Sequence, residues 1–171
     1  MPKIVREILI RAPLEDSWAL VSDMERFSLC IPGCKEVKKI GDTEFDWLME
    51  FKVLRTTRKA KVRTKATLLQ EPTRQEFVGE GRLFERSNYY KLTITGATDL
   101  ERVSDAKTKI TFSGDVKASG VGGAIIDKVA AGQMDQLFAE FERNLKHALG
   151  DVGDDEMEDD AAAPPVAEEQ T

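Results

Sequence analysis

The sequence predicts an α+β fold in which a curved antiparallel sheet of about seven strands is closed by one long C-terminal helix. Two observations carry this expectation. For roughly eighty residues after Cys34 the chain alternates apolar and polar positions, and from about Gly123 to Leu149 it switches to an apolar residue every three or four. A sheet with one apolar face needs a cover, and only that last segment is long enough to supply it.

The elements follow in order. A first strand is predicted over residues 3–11, ended by Ala12-Pro13. Pro13 opens a short helix whose Leu14, Trp18 and Val21 share one face. A second short helix starts at Asp23, whose carboxylate suits an N-cap, turns Phe27 and Cys30 inward and stops at Ile31-Pro32-Gly33. The alternation then begins. Phe45, Trp47, Met49, Phe51 and Val53 face in against Glu44, Asp46, Glu50 and Lys52, with Leu48 an apolar exception on the outer face. Ala60, Val62, Thr64, Ala66 and Leu68 alternate with Lys59, Lys61, Arg63 and Lys65; Phe77, Gly79, Gly81 and Leu83 alternate with Glu76, Glu80 and Arg82. Tyr90, Leu92 and Ile94 face in, as do Ile110, Phe112, Gly114 and Val116. In the closing helix Ile126, Ala130, Met134, Leu137, Phe141 and Leu145 form the inward stripe, with Gly120, Gly122 and Gly123 as its joint to the sheet.

At 171 residues, 41% apolar and 33% charged, the chain is sized for one domain with a real core. No window approaches the roughly 20 apolar residues of a membrane-spanning helix. Nor does the start, Met1 to Glu7, carry the apolar stretch of a secretion signal, so the expected location is cytoplasmic, with at most peripheral contact at the inner face of the cell membrane. The net charge of −6 is unevenly divided: residues 151–171 hold nine acids and no Lys or Arg, leaving 25 cations against 22 acids in the rest. A domain over residues 1–149 and a disordered acidic, Pro-containing tail over 150–171 are therefore expected.

Little in the sequence could run acid–base or metal chemistry. His147 is the single histidine and lies on the closing helix, the inward strand positions hold no paired carboxylates, and Cys30 and Cys34 lack the further ligands zinc needs. Gly120-Val121-Gly122-Gly123 lacks the full glycine fingerprint of a phosphate loop and reads as a flexible joint. The expectation is a protein with no catalytic residues, no metal and no covalently bound cofactor.

What the pattern does offer is space. Large inward residues (Trp47, Phe51, Phe77, Tyr90, Phe112) face small ones (Ala66, Gly79, Gly81), and a helix laid on a curved sheet leaves its middle unfilled unless large side chains project there. The predicted lining of an apolar cavity is Trp47, Phe51, Thr64, Ala66, Phe77, Gly79, Gly81, Tyr90, Leu92 and Phe112 from the sheet. The helix adds Ile126, Ala130, Gln133, Met134, Leu137 and Phe141. Thr64, Tyr90 and Gln133 are the polar groups expected to face it. On the outer face, Lys59, Lys61, Arg63 and Lys65 make a basic stripe suited to anionic headgroups or an acidic protein patch. Nucleic acid is not expected, because no aromatics interleave with these cations.

A family likeness rests on particular residues. Ala12-Pro13-Leu14-Glu15-Asp16-Ser17-Trp18 resembles the opening of START-like (SRPBCC) domains, which have the helix-grip fold. Cys30-Ile31-Pro32-Gly33-Cys34 resembles the Ile-Pro-Gly turn of the CoxG family of carbon monoxide dehydrogenase proteins, and Gly79-Glu80-Gly81, Gly122-Gly123-Ala124-Ile125-Ile126-Asp127, Phe138 and Phe141 are similar to that family as well. The resemblance covers about residues 3–147. It implies a non-catalytic protein that serves a molybdenum-containing hydroxylase of the carbon monoxide dehydrogenase type and links it to membrane electron transport, holding a quinone such as menaquinone or ubiquinone in the cavity. Alternatives of other classes are a ligand-free assembly or membrane-recruitment factor for that enzyme, and a small cyclase- or hydrolase-like enzyme on the same fold. Unlike members that end in an apolar anchoring helix, this chain ends in acids and prolines, so transient membrane contact is the expectation.

Overall fold

The computed structural model describes the backbone of residues 4–53, 55–85, 87–119 and 123–151, and the side chains over those ranges except residues 53, 85 and 123–131. The expected acidic tail from residue 152 onward, the Gly120 and Gly122 part of the joint, and the side chains of Ile126 and Ala130 lie outside the described residues.

Strand β1 (Ile4–Ile10) leads into helices α1 (Leu14–Val21) and α2 (Met24–Ser28). Strands β2 (Cys34–Lys39), β3 (Glu44–Val53), β4 (Thr56–Gln70), β5 (Arg74–Glu85), β6 (Asn88–Ser104) and β7 (Lys107–Ser119) follow, and helix α3 (Gly123–Ala148) closes the chain. The strands form one sheet in the order β1-β7-β6-β5-β4-β3-β2, with every neighbouring pair antiparallel. Consecutive strands from β2 to β7 pair as a meander. β1 alone crosses over, and α1 and α2 span that connection along the inner face. This is the predicted element order.

Local chemistry sets the ends. Asp23 caps α2 by accepting from the backbone N–H groups of Glu25 and Arg26, both at 3.2 Å. Gly33 follows with φ +86°, a left-handed turn that suits glycine, and a Cβ there would come within 2.5 Å of the Glu50 carbonyl oxygen. At the far end, Gly150 (φ +79°) and Asp151 return N–H bonds to the carbonyls of His147 (3.1 Å) and Lys146 (2.8 Å), the paired bonds of a Schellman stop. The Asp151 side chain is buried and accepts from the Arg11 backbone N–H at 2.8 Å. An acid counted with the tail on composition is thus tied to the end of β1.

The packed core gathers at one end. Ile8, Ile10, Leu14, Trp18, Leu20, Val21, Cys30, Leu100, Ile110, Phe141 and Leu145 form a buried cluster joining β1, α1, the loop after α2, β6, β7 and the C-terminal half of α3. Each such side chain taken from water stabilises the fold by about 1.5–3 kcal/mol. A second, smaller cluster, Ala60, Val62, Leu83 and Leu92, lies in the middle strands, with Trp47, Met49, Phe51, Tyr90, Ile94 and Ala118 packed against it. Arg6 spans from β1 to α3, bonding Asp135 at 2.5 Å with its guanidinium 5.4 Å from the Phe138 ring centre.

Candidate functional site

Between the concave face of the sheet and α3 lies a cavity of about 580 Å³. Its wall is read off the strand alternation. β3 contributes Phe45, Trp47, Met49 and Phe51; β4 contributes Ala60, Val62, Thr64, Ala66 and Leu69; β5 contributes Gln75, Glu76, Phe77 and Leu83. Leu92, Ile94 and Thr98 from β6, Val116 and Ala118 from β7, and Gln133, Met134 and Leu137 from α3 complete it, with Phe27 and Ile31 near α2. The space persists because α3 touches down on β7 and β3, while β4, between them in the sheet, presents small or medium side chains such as Ala60, Val62, Thr64 and Ala66.

Nine of the side chains predicted from sequence stand on this wall: Trp47, Phe51, Thr64, Ala66, Phe77, Leu92, Gln133, Met134 and Leu137. Five predicted residues do not. Phe112 and Phe141 pack edge to face at 5.1 Å between centroids, with Phe27 and Phe138 around them, and belong to the closed core, because the C-terminal half of α3 meets α2 and β7 there. Tyr90 packs against the smaller cluster rather than on the wall. Gly79 and Gly81 make room for the neighbouring strand. A Cβ on Gly81 would run into the Lys61 carbonyl and the Val62 Cα, and one on Gly79 would meet the Thr64 methyl at 3.1 Å.

Sequence reasoning missed several wall residues. A bulge between Ala66 and Leu68 shifts the phase of β4, so Leu69 faces the cavity instead of the predicted Leu68. Gln75 shares the phase of Phe77, and that signal was available. It is buried, and its Nε2 donates to the Val21 carbonyl at 3.0 Å, tying β5 to the end of α1. Gly96 was also overlooked: its missing side chain leaves the place that the Phe77 ring occupies.

Polar atoms on the wall are few. The Trp47 indole Nε1 donates to Thr64 Oγ1 at 2.8 Å across the β3–β4 register. Exposed wall residues Asp23, Glu25, Lys39, Asp42 and Leu69 come from the start of α2, the end of β2, the β2–β3 turn and the end of β4, and form an open rim. Burial pushes the Cys30 and Cys34 thiols up from their usual range. The Cys30 sulfur lies 3.9 Å from the Asn144 carbonyl inside the core, away from the cavity.

On the outer face the predicted basic stripe is laced to acids. Glu50, Asp46 and Glu44 stand directly opposite Lys59, Arg63 and Lys65, and Arg63 binds Asp46 through two bonds of 2.7 and 3.0 Å. That guanidinium holds the Asp46 carboxyl below its usual range. The cationic run that emerges instead crosses the strands: Lys61, Arg82 and Lys91 are successive partners on β4, β5 and β6. Lys61 is thus common to the predicted stripe and to this row.

Residues 7–150 match the family model that describes CoxG, a subunit of carbon monoxide dehydrogenase. The chain belongs to the CoxG family. No curated protein matches the sequence. Among solved structures, a conserved protein from Geobacillus kaustophilus is similar with a TM-score of 0.75 at 19% identity, over 87% of this chain and 95% of that one. A START superfamily protein from Mycobacterium smegmatis gives 0.61 at 14% identity, over 88% and 99%. The di-domain ARO/CYC BexL from the BE-7585A biosynthetic pathway gives 0.59 at 18%, over 85% of this chain and 47% of that one. At these identities the likenesses speak for a START-like, SRPBCC-type fold alone. The family is that of a carbon monoxide dehydrogenase subunit, and the cavity of this chain lies within a START-like fold. Among the described residues no helix is long and apolar enough to cross a membrane.

Proposed function

We propose that this CoxG protein is a non-catalytic carrier of a lipophilic quinone, menaquinone or ubiquinone in type, that connects a carbon monoxide dehydrogenase-type molybdenum hydroxylase with membrane electron transport. The cavity carries this reading. Its volume of about 580 Å³ falls in the roughly 300–1,000 Å³ range of sites that enclose small organic ligands, and its wall is apolar with few polar atoms. Flat aromatic side chains at Trp47, Phe51 and Phe77 suit a ring system, and the aliphatic wall of Val62, Leu83, Leu92 and Met134 suits a short length of isoprenoid tail. When bound, the quinone supplies the redox chemistry; the chain's own residues hold it and keep water from it. Of the carboxylates on the described wall, Asp23, Glu25 and Asp42 stand on the open rim and Glu76 is held in an ion pair with Arg74 at 2.7 Å, an arrangement that supports carriage over turnover. The transverse row Lys61, Arg82 and Lys91 supports reversible contact with an anionic membrane surface or an acidic patch of the dehydrogenase.

Native mass spectrometry of the purified protein, before and after addition of menaquinone or ubiquinone, tests the proposal. A one-to-one complex is expected, with the fluorescence of Trp47 quenched and that of Trp18, sealed in the core, retained in a Trp47→Phe variant. A protein that carries no quinone and takes up neither compound would sink it.

A further inference from the structure

We infer that the Trp47–Thr64 pair is the group that selects the ligand, by presenting a hydrogen-bond donor to a carbonyl oxygen from a mostly apolar wall. This rests on the quinone-carrier reading and gives it a recognition chemistry.

An indole carries one N–H and no acceptor. Trp47 uses that N–H on Thr64 Oγ1 at 2.8 Å, and both side chains line the cavity. The threonine hydroxyl therefore has its oxygen engaged as an acceptor, while its own proton still needs an acceptor. Among the described residues that proton donates to nothing, and the carbonyls beside it belong to the β3–β4 and β4–β5 ladders. Accepting from the indole also polarises the hydroxyl and makes it a better donor.

The pair is held from both sides. Thr64 stands opposite Phe45 on β3 and opposite Gly79 on β5, and Gly79 leaves its methyl clear, since a Cβ there would sit 3.1 Å from it. The other wall amide whose bonding is defined, Gln75, already spends an N–H on Val21. A ligand that brings a carbonyl to Thr64 satisfies the last polar atom of the pair; a hydrocarbon of the same shape leaves it unsatisfied. Such an asymmetry discriminates more sharply than shape alone.

Two probes of nearly equal shape test this by isothermal titration calorimetry: menadione, which carries ring carbonyls, and 2-methylnaphthalene, which carries none. Wild-type protein is expected to favour menadione. In Trp47→Phe/Thr64→Val, which leaves no donor of the pair on the wall, the preference should shrink by about five- to tenfold, whereas Thr64→Ser should keep it. Thr64→Val alone frees the Trp47 N–H to donate in place of the hydroxyl, so only the double variant isolates the pair as the donor. An unchanged ratio in the double variant, or a wild-type protein that binds both probes equally, overturns the donor assignment and leaves the cavity reading standing. Binding of neither probe by the wild-type protein overturns both.

Discussion

A side chain at position 81 has nowhere to go. The Lys61 carbonyl and the Val62 Cα occupy the space it would need, and both are backbone, which cannot swing aside. Gly81→Ala should cost about 1–3 kcal/mol in urea denaturation. Gly79→Ala, which meets the Thr64 methyl at 3.1 Å, should cost less and act on the cavity through Thr64. The cysteines allow a second test at this scale. Burial raises both thiols, so the folded chain keeps protons that the unfolded chain releases above about pH 8.5. Stability from these groups is complete below that pH and declines as pH rises through the folded values. At neutral pH both should react slowly with a disulfide reagent, Cys34 before the buried Cys30, which should label only on unfolding. Rapid labelling of Cys30 in the native protein would contradict the packing described.

At the scale of elements, alternation along a strand reveals which face a residue takes but not how far along the sheet the covering helix touches down. That is why Trp47, Phe51, Thr64 and Phe77 were legible as cavity residues while Phe112, with the same inward phase, turned out to be core. The depth is set by α1 and α2, which fill one end, and by their contact with the last turns of α3. The bulge in β4 was equally hidden, because a one-residue shift in pairing leaves no mark in composition. Two truncations separate these roles. Phe112→Ala removes a ring packed against Phe27, Phe138 and Phe141 and should destabilise by about 3–5 kcal/mol with little effect on ligand affinity per folded molecule. Met134→Ala borders open space and should do the reverse, changing affinity more than the denaturation midpoint. Thermal denaturation with menadione titration distinguishes the two.

The whole molecule is asymmetric. One end is a closed core of α1, α2, β1 and the C-terminal half of α3; the other is a wall around empty volume. The order of elements that creates this division was readable from periodicity alone, since the sheet period, the helix period and their sequence admit few arrangements. The surface charge was less readable. Four cations in a row along β4 looked like a stripe, yet cross-strand pairing sets acids of β3 beside three of them. A filled cavity should stabilise the fold by mass action, about 2.7 kcal/mol at a ligand concentration one hundred times the dissociation constant. An upward shift of several degrees in the thermal midpoint with menadione, absent in a variant whose cavity is blocked by Ala66→Trp, is the expected outcome.

The Schellman stop and the buried Asp151 take on a kinetic meaning in this setting. They fasten the close of α3 to Arg11 at the end of β1, so the last turn of the long helix is secured to the closed core, remote from much of the wall. On the carrier proposal, exchange of a guest is then expected to need only local opening at the rim, with the terminal elements left in place. Such a carrier would be emptied and refilled at a rate set by its rim, while its lifetime is set elsewhere.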